Sequence, residues 1–320
     1  MFSIEVSCLG SLLQTTIENE FSHVGTGVHL GRPVRIIVKP AEVGHGIVFK
    51  RTDVDHQRSI IPANFKYLVT GQLCTSLANS YGVKVMTVEH LLAAFLGVGV
   101  TNALIEIDNE EVPILDGSSD FFVQSILKSG VKEQDQSLTI CRVTDSIIVE
   151  EGHSWVRFEP ADRLILSVTI DYPGTLIGCQ NLSMHMSNGA FIKELSNCRT
   201  FCLNADVKKM VGKGLALGGS LKNAVVIDNF KVLNPGGLRK DDEFVRHKML
   251  DALGDLALSG IPIFGHFTSF CGGHKLNTKL VEKLFSSELF HEVCNLGQKE
   301  AFKLLGFRYK ASSIDYQAVS

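Results

Sequence analysis

Segments rich in Val and Ile recur along the chain at 34–40, 103–108, 146–149, 164–170 and 224–227, and they alternate with segments whose apolar residues follow a helical period. This pattern predicts an α+β fold. A polar stretch at 132–137 (KEQDQS) separates a first half that ends in a predicted helix over 121–127 from a second half that opens with new strand-like sequence. Two domains are therefore expected, 1–134 and 135–320. No close sequence repeat or low-complexity tract is present, although each half runs from strands to a helix.

Two predicted helices carry polar residues worth following. Thr87 is placed to cap the first, which continues through Val88, Glu89 and His90 into an apolar run and ends near Gly97. Glu89 falls in its first turn, where the helix dipole favours a carboxylate. The second, over 241–258, sets His247, Asp251 and Asp255 at i, i+4 and i+8 on one stripe. Val245, Met249, Leu253 and Leu256 supply apolar surface beside and opposite that stripe.

With 320 residues, 45% hydrophobic and 20% charged, the chain can bury one large core or two medium ones. Its 31 Lys and Arg against 34 Asp and Glu give a formal charge of −3 without long blocks of one sign. Neither a nucleic-acid footprint nor a polybasic membrane patch is present, which leaves small molecules or copies of itself as the expected partners; a monomer is expected. Eight cysteines are scattered, and none forms a C-x-x-C pair. The apolar beginning MFSIEVSCLGSLL lacks a basic leader, and the uncharged run 91–100 is too short to span a bilayer. A cytoplasmic protein with free thiols is expected.

His247 and Asp251, one helical turn apart, can offer a nitrogen and an oxygen to one metal, and zinc suits such mixed ligation with a place left for water. The same spacing also fits an ordinary surface or capping pair. Asp255 adds a third acid to the stripe. Glu89-His90 reads either as a first-turn pair that needs only the dipole, or as a general base beside a third ligand. The H-E-x-x-H arrangement is absent. Gly272-Gly273-His274 reads either as a turn closing a strand or as a catalytic acid on a loop. Residues 211–220 (VGKGLALGGS) lack the order of a phosphate-binding loop, so their glycines are read as turns.

Taken in order, residues 25–31 (GTGVHLG), 87–92 (TVEHLL), 111–118 (EVPILDGS), 199–201 (RTF), 218–220 (GGS), 233–255 (LNPGGLRKDDEFVRHKMLDALGD) and 273–277 (GHKLN) resemble the UDP-3-O-acyl-N-acetylglucosamine deacetylase family of lipid A biosynthesis. The resemblance runs from about Gln14 to beyond Asn277. It implies two structurally similar α/β sandwich domains with helices packed between sheets and the active site at their interface. It also implies zinc (Zn2+) held by His90, His247 and Asp251, with Glu89 as general base and His274 as its protonated partner. Thr200 would stabilise the oxyanion, Asp255 would orient His274, and Lys248 would meet the nucleotide diphosphate. Phe201, Leu73, Cys74, Val207 and Ala216 would contact the substrate, with the acyl chain held by an inserted β-α-β passage over 202–227. Cys202 stands where the family usually has Gly, which is expected to alter a turn into that passage, and Cys271 stands where Lys or Arg is usual. Two other readings compete: a zinc amidohydrolase for a different N-acyl sugar, and a lipid-sugar binding protein that has lost turnover, whose mark would be a broken Glu89 or His274.

Overall fold

The structure, a computed structural model, describes residues 11–69 and 73–306; Cys8 and the first ten residues of the apolar beginning lie outside them. Strands form at all five Val- and Ile-rich segments. The chain is a mixed α+β fold in which one five-strand pattern occurs twice. In the first half, hairpins Phe21–Thr26/Pro33–Pro40 and Ile47–Arg51/Ile60–Pro62 are followed by helix α1 (Glu89–Val98), a central strand Ala103–Ile107 and helix α2 (Asp120–Ser129). In the second, hairpins Ile147–Glu151/Ser154–Glu159 and Leu164–Tyr172/Gly178–His185 lead to helix α5 (Glu243–Leu256), strand Ile263–Phe270 and helix α6 (His274–Leu284). Each central strand lies antiparallel to the first hairpin and parallel to the second. This shared topology is invisible in the sequence because it is a property of strand order.

Each half also carries an insertion between its second hairpin and its central helix. The first is a small sheet of Leu68–Val69, Ser76–Ala78 and Lys84–Met86. The second contains the short helix α3 (Ala190–Glu194), then strand Phe201–Leu203, helix α4 (Asn204–Gly212) and strand Val225–Asp228, which runs parallel to the first of these strands. This is the β-α-β passage expected over 202–227. Cys202 sits in the middle of its first strand, so the expectation that it alters a turn is corrected: extended backbone accepts cysteine as readily as most residues.

Nine of the ten residues of α1 and twelve of the fourteen of α5 are buried. A helix covered on all sides is a layer between others, and one continuous apolar core takes in residues of both sheets and of both helices. The two helices touch where a Cβ on Gly254 would lie 2.1 Å from the Glu89 carbonyl oxygen. Only glycine permits that approach, which brings Glu89 and His90 against Asp251 and Asp255.

One sequence expectation is corrected at an element boundary. Thr87 does not cap α1: it has φ 57°, and its hydroxyl donates to Glu111 Oε1 at 2.9 Å. The helix ends at Val98, near Gly97 as expected; a Cβ on Gly97 would meet the Phe191 ring, and the left-handed residue that follows is Gly99. The polar stretch at 132–137 is itself in regular structure. It belongs to strand Val131–Ser137, which pairs antiparallel with Leu13–Ile17 through backbone hydrogen bonds that require no apolar side chains. The expected boundary after residue 134 therefore falls inside a strand.

Candidate metal centre and cavity

His90 from α1 and His247 and Asp251 from α5 come together at the crossing of the two helices, one ligand atom from each lying within 4.8 Å of the others. All three are buried. Asp251 Oδ1 stands 3.2 Å from His247 Nε2 and 3.5 Å from His90 Nε2, and no hydrogen-bond partner satisfies it. Donors about 2.0–2.1 Å from a tetrahedral ion lie about 3.3 Å apart, so these separations fit one cation.

The hydrogen bonding of His247 sharpens that fit. Its Nδ1 lies 3.0 Å from the Cys198 carbonyl oxygen and donates to it, which turns Nε2 toward the carboxylate of Asp251. Asp251 Oδ1, buried without a hydrogen-bond partner between two imidazoles, calls for a positive charge beside it. Burial works against the charge of Asp251, but His247 and the Lys248 ammonium outweigh it and hold the carboxyl well below its usual range. The donor set, two imidazoles and a carboxylate, suits zinc and leaves a fourth position open.

Beside this cluster stand Glu89, His274 and Asp255. His274 is the first residue of α6, which corrects the expectation that it lies on a loop; Gly272-Gly273 make the bend between the preceding strand and that helix. Its Nε2 is 3.8 Å from Glu89 Oε1 and 3.9 Å from Asp251 Oδ2, and its Nδ1 is 2.9 Å from Asp255 Oδ2. Asp255, fully buried, also accepts from Asn277 Nδ2 at 2.9 Å. Burial disfavours the imidazolium, but the carboxylates of Asp255 and Glu89 prevail and raise His274 to about 10. Burial pushes Glu89 up to about 7, opposed by His274 and reinforced by Asp251 and Asp255. A carboxylate and an imidazolium with separated titrations are what proton transfer in two directions requires.

A cavity of about 940 Å³ adjoins this centre, and Glu89, His90, Asp251 and His274 are among the residues that line it. Apolar residues of the second insertion, among them Phe201, Val207, Met210, Leu215 and Ala216, line it as well. Thr200 and Lys248 also face it, as does Leu73. The Lys248 ammonium pairs with Asp251 Oδ2 at 2.9 Å and lies 5.8 Å from the centroid of the Phe201 ring. Cys74 is the expected substrate contact that the structure does not bring into this wall. It is buried next to Ser76, and burial pushes its thiol up to about 12. Cys271, three residues before His274, is partly buried with φ 49° and donates its backbone N–H to Thr169 O.

The segment 198–200 ties these parts together. Cys198 orients His247, Thr200 donates its N–H to Gly117 O at 2.8 Å, and Arg199 between them forms a buried ion pair with Glu243 at the start of α5. Glu243 accepts from the Arg199 backbone and guanidinium and from the Arg239 N–H; these bonds overcome burial and keep its carboxyl below the ordinary range. Glu243→Ala would strand the Arg199 charge, and a loss of about 3–5 kcal/mol in unfolding free energy is expected from denaturant titration. An unchanged midpoint and slope would contradict that reading of the pair.

Sequence reasoning missed four participants. His29 lies in the cavity wall with Nδ1 buried and unpartnered, and burial lowers its pKa. Glu111 accepts from His29 N, Leu30 N and the Thr87 hydroxyl. Asn277 and Thr75 contact Asp255. His29, Glu111 and Asn277 belong to motifs that were visible, whereas Thr75 carried no signal.

Comparison with known sequences agrees with this geometry. Residues 14–286 match the family described as LpxC: UDP-3-O-acyl N-acetylglycosamine deacetylase. A relative from Idiomarina loihiensis is 40% identical over 296 residues, covering 92% of this chain and 96% of its own. One from Shewanella violacea is 40% identical over 298 residues, covering 92% and 94%, and one from Myxococcus xanthus is 41% identical over 305 residues, covering 95% and 96%. All three are named UDP-3-O-acyl-N-acetylglucosamine deacetylase.

Proposed function

Because the chain belongs to the UDP-3-O-acyl N-acetylglycosamine deacetylase family, we propose that it hydrolyses the N-acetyl group of UDP-3-O-acyl-N-acetylglucosamine in lipid A biosynthesis, with zinc held by His90, His247 and Asp251. The observation that carries this reading is the buried, unpartnered Asp251 Oδ1 lying 3.2 Å from His247 Nε2 and 3.5 Å from His90 Nε2, beside a cavity lined by many apolar residues. Zinc in such a site lowers the pKa of water and polarises a carbonyl oxygen.

The remaining roles fall to side chains. Glu89, ionised, takes the proton of the attacking water. His274, charged, gives a proton from Nε2 to the departing amine, and Asp255 at Nδ1 keeps that ring protonated and turned toward the substrate. The Thr200 hydroxyl, at the cavity wall, donates to the oxyanion as it forms. Lys248 supplies a positive point charge for the diphosphate, and Phe201, Val207, Ala216 and Leu73 hold the acyl chain. An intact Glu89 and His274 argue against a binding protein without turnover. We place the reaction in the cytoplasm. The seven cysteines among the described residues are free thiols, in keeping with a reducing compartment. Among the described residues, no helix is long and apolar enough to cross a membrane.

The test is acetate release from the acylated substrate and from an analogue lacking the 3-O-acyl chain. Each buried methylene contributes about 0.8 kcal/mol, so burial of only three implies a kcat/KM at least roughly fiftyfold lower for the analogue. Equal values for the two would remove the acyl chain from the cavity, and the other N-acyl sugars would then become the better substrates to try.

A further inference from the structure

Thr75 lies in the first insertion, immediately before strand Ser76–Ala78, and is 2% exposed. It does not line the cavity, yet it touches all three groups that stand beside the metal cluster. Its backbone N–H donates to Glu89 Oε2 at 3.1 Å. Its hydroxyl donates to Asp255 Oδ1 and lies 3.1 Å from His274 Nδ1. Asp255 and His274 come from the second half of the chain, Glu89 and Thr75 from the first.

We propose that Thr75 is a positioning residue that sets the base and the acid of the reaction in one frame. The hydroxyl has one proton. Given to Asp255, it leaves an oxygen lone pair facing His274 Nδ1, so that nitrogen meets two acceptors, the Asp255 carboxylate and the Thr75 oxygen. An Nδ1–H pinned on both sides fixes the ring plane, and Nε2 is left to face Glu89 and the cavity. The backbone N–H of the same residue occupies Glu89 Oε2, which leaves Oε1 as the oxygen turned toward His274. One rigid residue thereby sets the distance between two groups that reach the site from different halves of the chain.

The inference rests on the deacetylase reading, and its test separates the two. In the zinc-loaded enzyme, Thr75→Val keeps the volume and removes the hydroxyl; kcat is expected to fall roughly ten- to a hundredfold with KM little changed, because Thr75 faces no substrate. Thr75→Ser, which keeps the hydroxyl, should recover most of the parent rate. Nitrogen NMR of 15N-histidine protein, recorded with and without metal, should show the His274 Nδ1 proton signal of the parent preserved in the serine variant and broadened or shifted in the valine variant. If the valine variant fails to fold, Thr75→Ala repeats the comparison. Parent-like kcat and ring signals in the valine variant would overturn the proposal, as would equal losses with valine and serine, which would mean packing alone. An inactive parent would overturn the deacetylase reading instead, and the ring signals would still decide the role of Thr75.

Discussion

Glu89→Gln is expected to lower kcat/KM by roughly a hundredfold or more and to abolish the acid limb of the pH profile, and His274→Ala to cost a similar factor and abolish the alkaline limb. The signs follow from the protonation states that each step needs. Glu89 works as the carboxylate, so activity rises as pH climbs through its pKa, pushed up to about 7 chiefly by burial. His274 works as the imidazolium, so activity falls as pH passes through its pKa, which Asp255 and Glu89 raise against burial to about 10. A neighbouring divalent cation lowers both, since positive charge favours the carboxylate and disfavours the imidazolium, but leaves their order intact. Water on the metal titrates in the same range, so profiles of the parent alone do not assign the limbs. The two variants, measured at equal metal content, do. A parent-like rate in either variant would remove that residue from proton transfer.

The second large effect concerns the centre itself. His247→Ala is expected to weaken metal binding by more than about a hundredfold, since loss of a group that merely supports a ligand already costs up to that factor. Activity should fall in proportion. Metal analysis after dialysis reads the first effect and acetate release the second. A variant that kept its metal and its rate would show that the ion is held elsewhere.

How much of this was legible before folding depends on how each residue is positioned. His247, Asp251 and Asp255 were legible because a helix translates a spacing of four into a shared face, and α5 formed over nearly the predicted span. Glu89 and His90 were legible as a pair, but their partners lie on a helix that reaches them only because Gly254 lets the two backbones touch. The family resemblance supplied that juxtaposition where spacing could not. Thr75 was beyond reach on both grounds. Its contacts cross 180 and 199 residues of sequence, and a threonine beside a short strand looks the same whether or not a buried carboxylate waits opposite. The polar strand Val131–Ser137 failed for a different reason: its pairing with Leu13–Ile17 is made by backbone groups, which every sequence carries.

The central claim is that a metal bound by His90, His247 and Asp251 is required for amide hydrolysis at the head of the cavity. Acetate release from UDP-3-O-acyl-N-acetylglucosamine should therefore stop when the purified protein is stripped with a chelator and return when one equivalent of zinc is restored, in the parent but not in His247→Ala. Release that continued undiminished in protein shown to be free of metal would contradict the account.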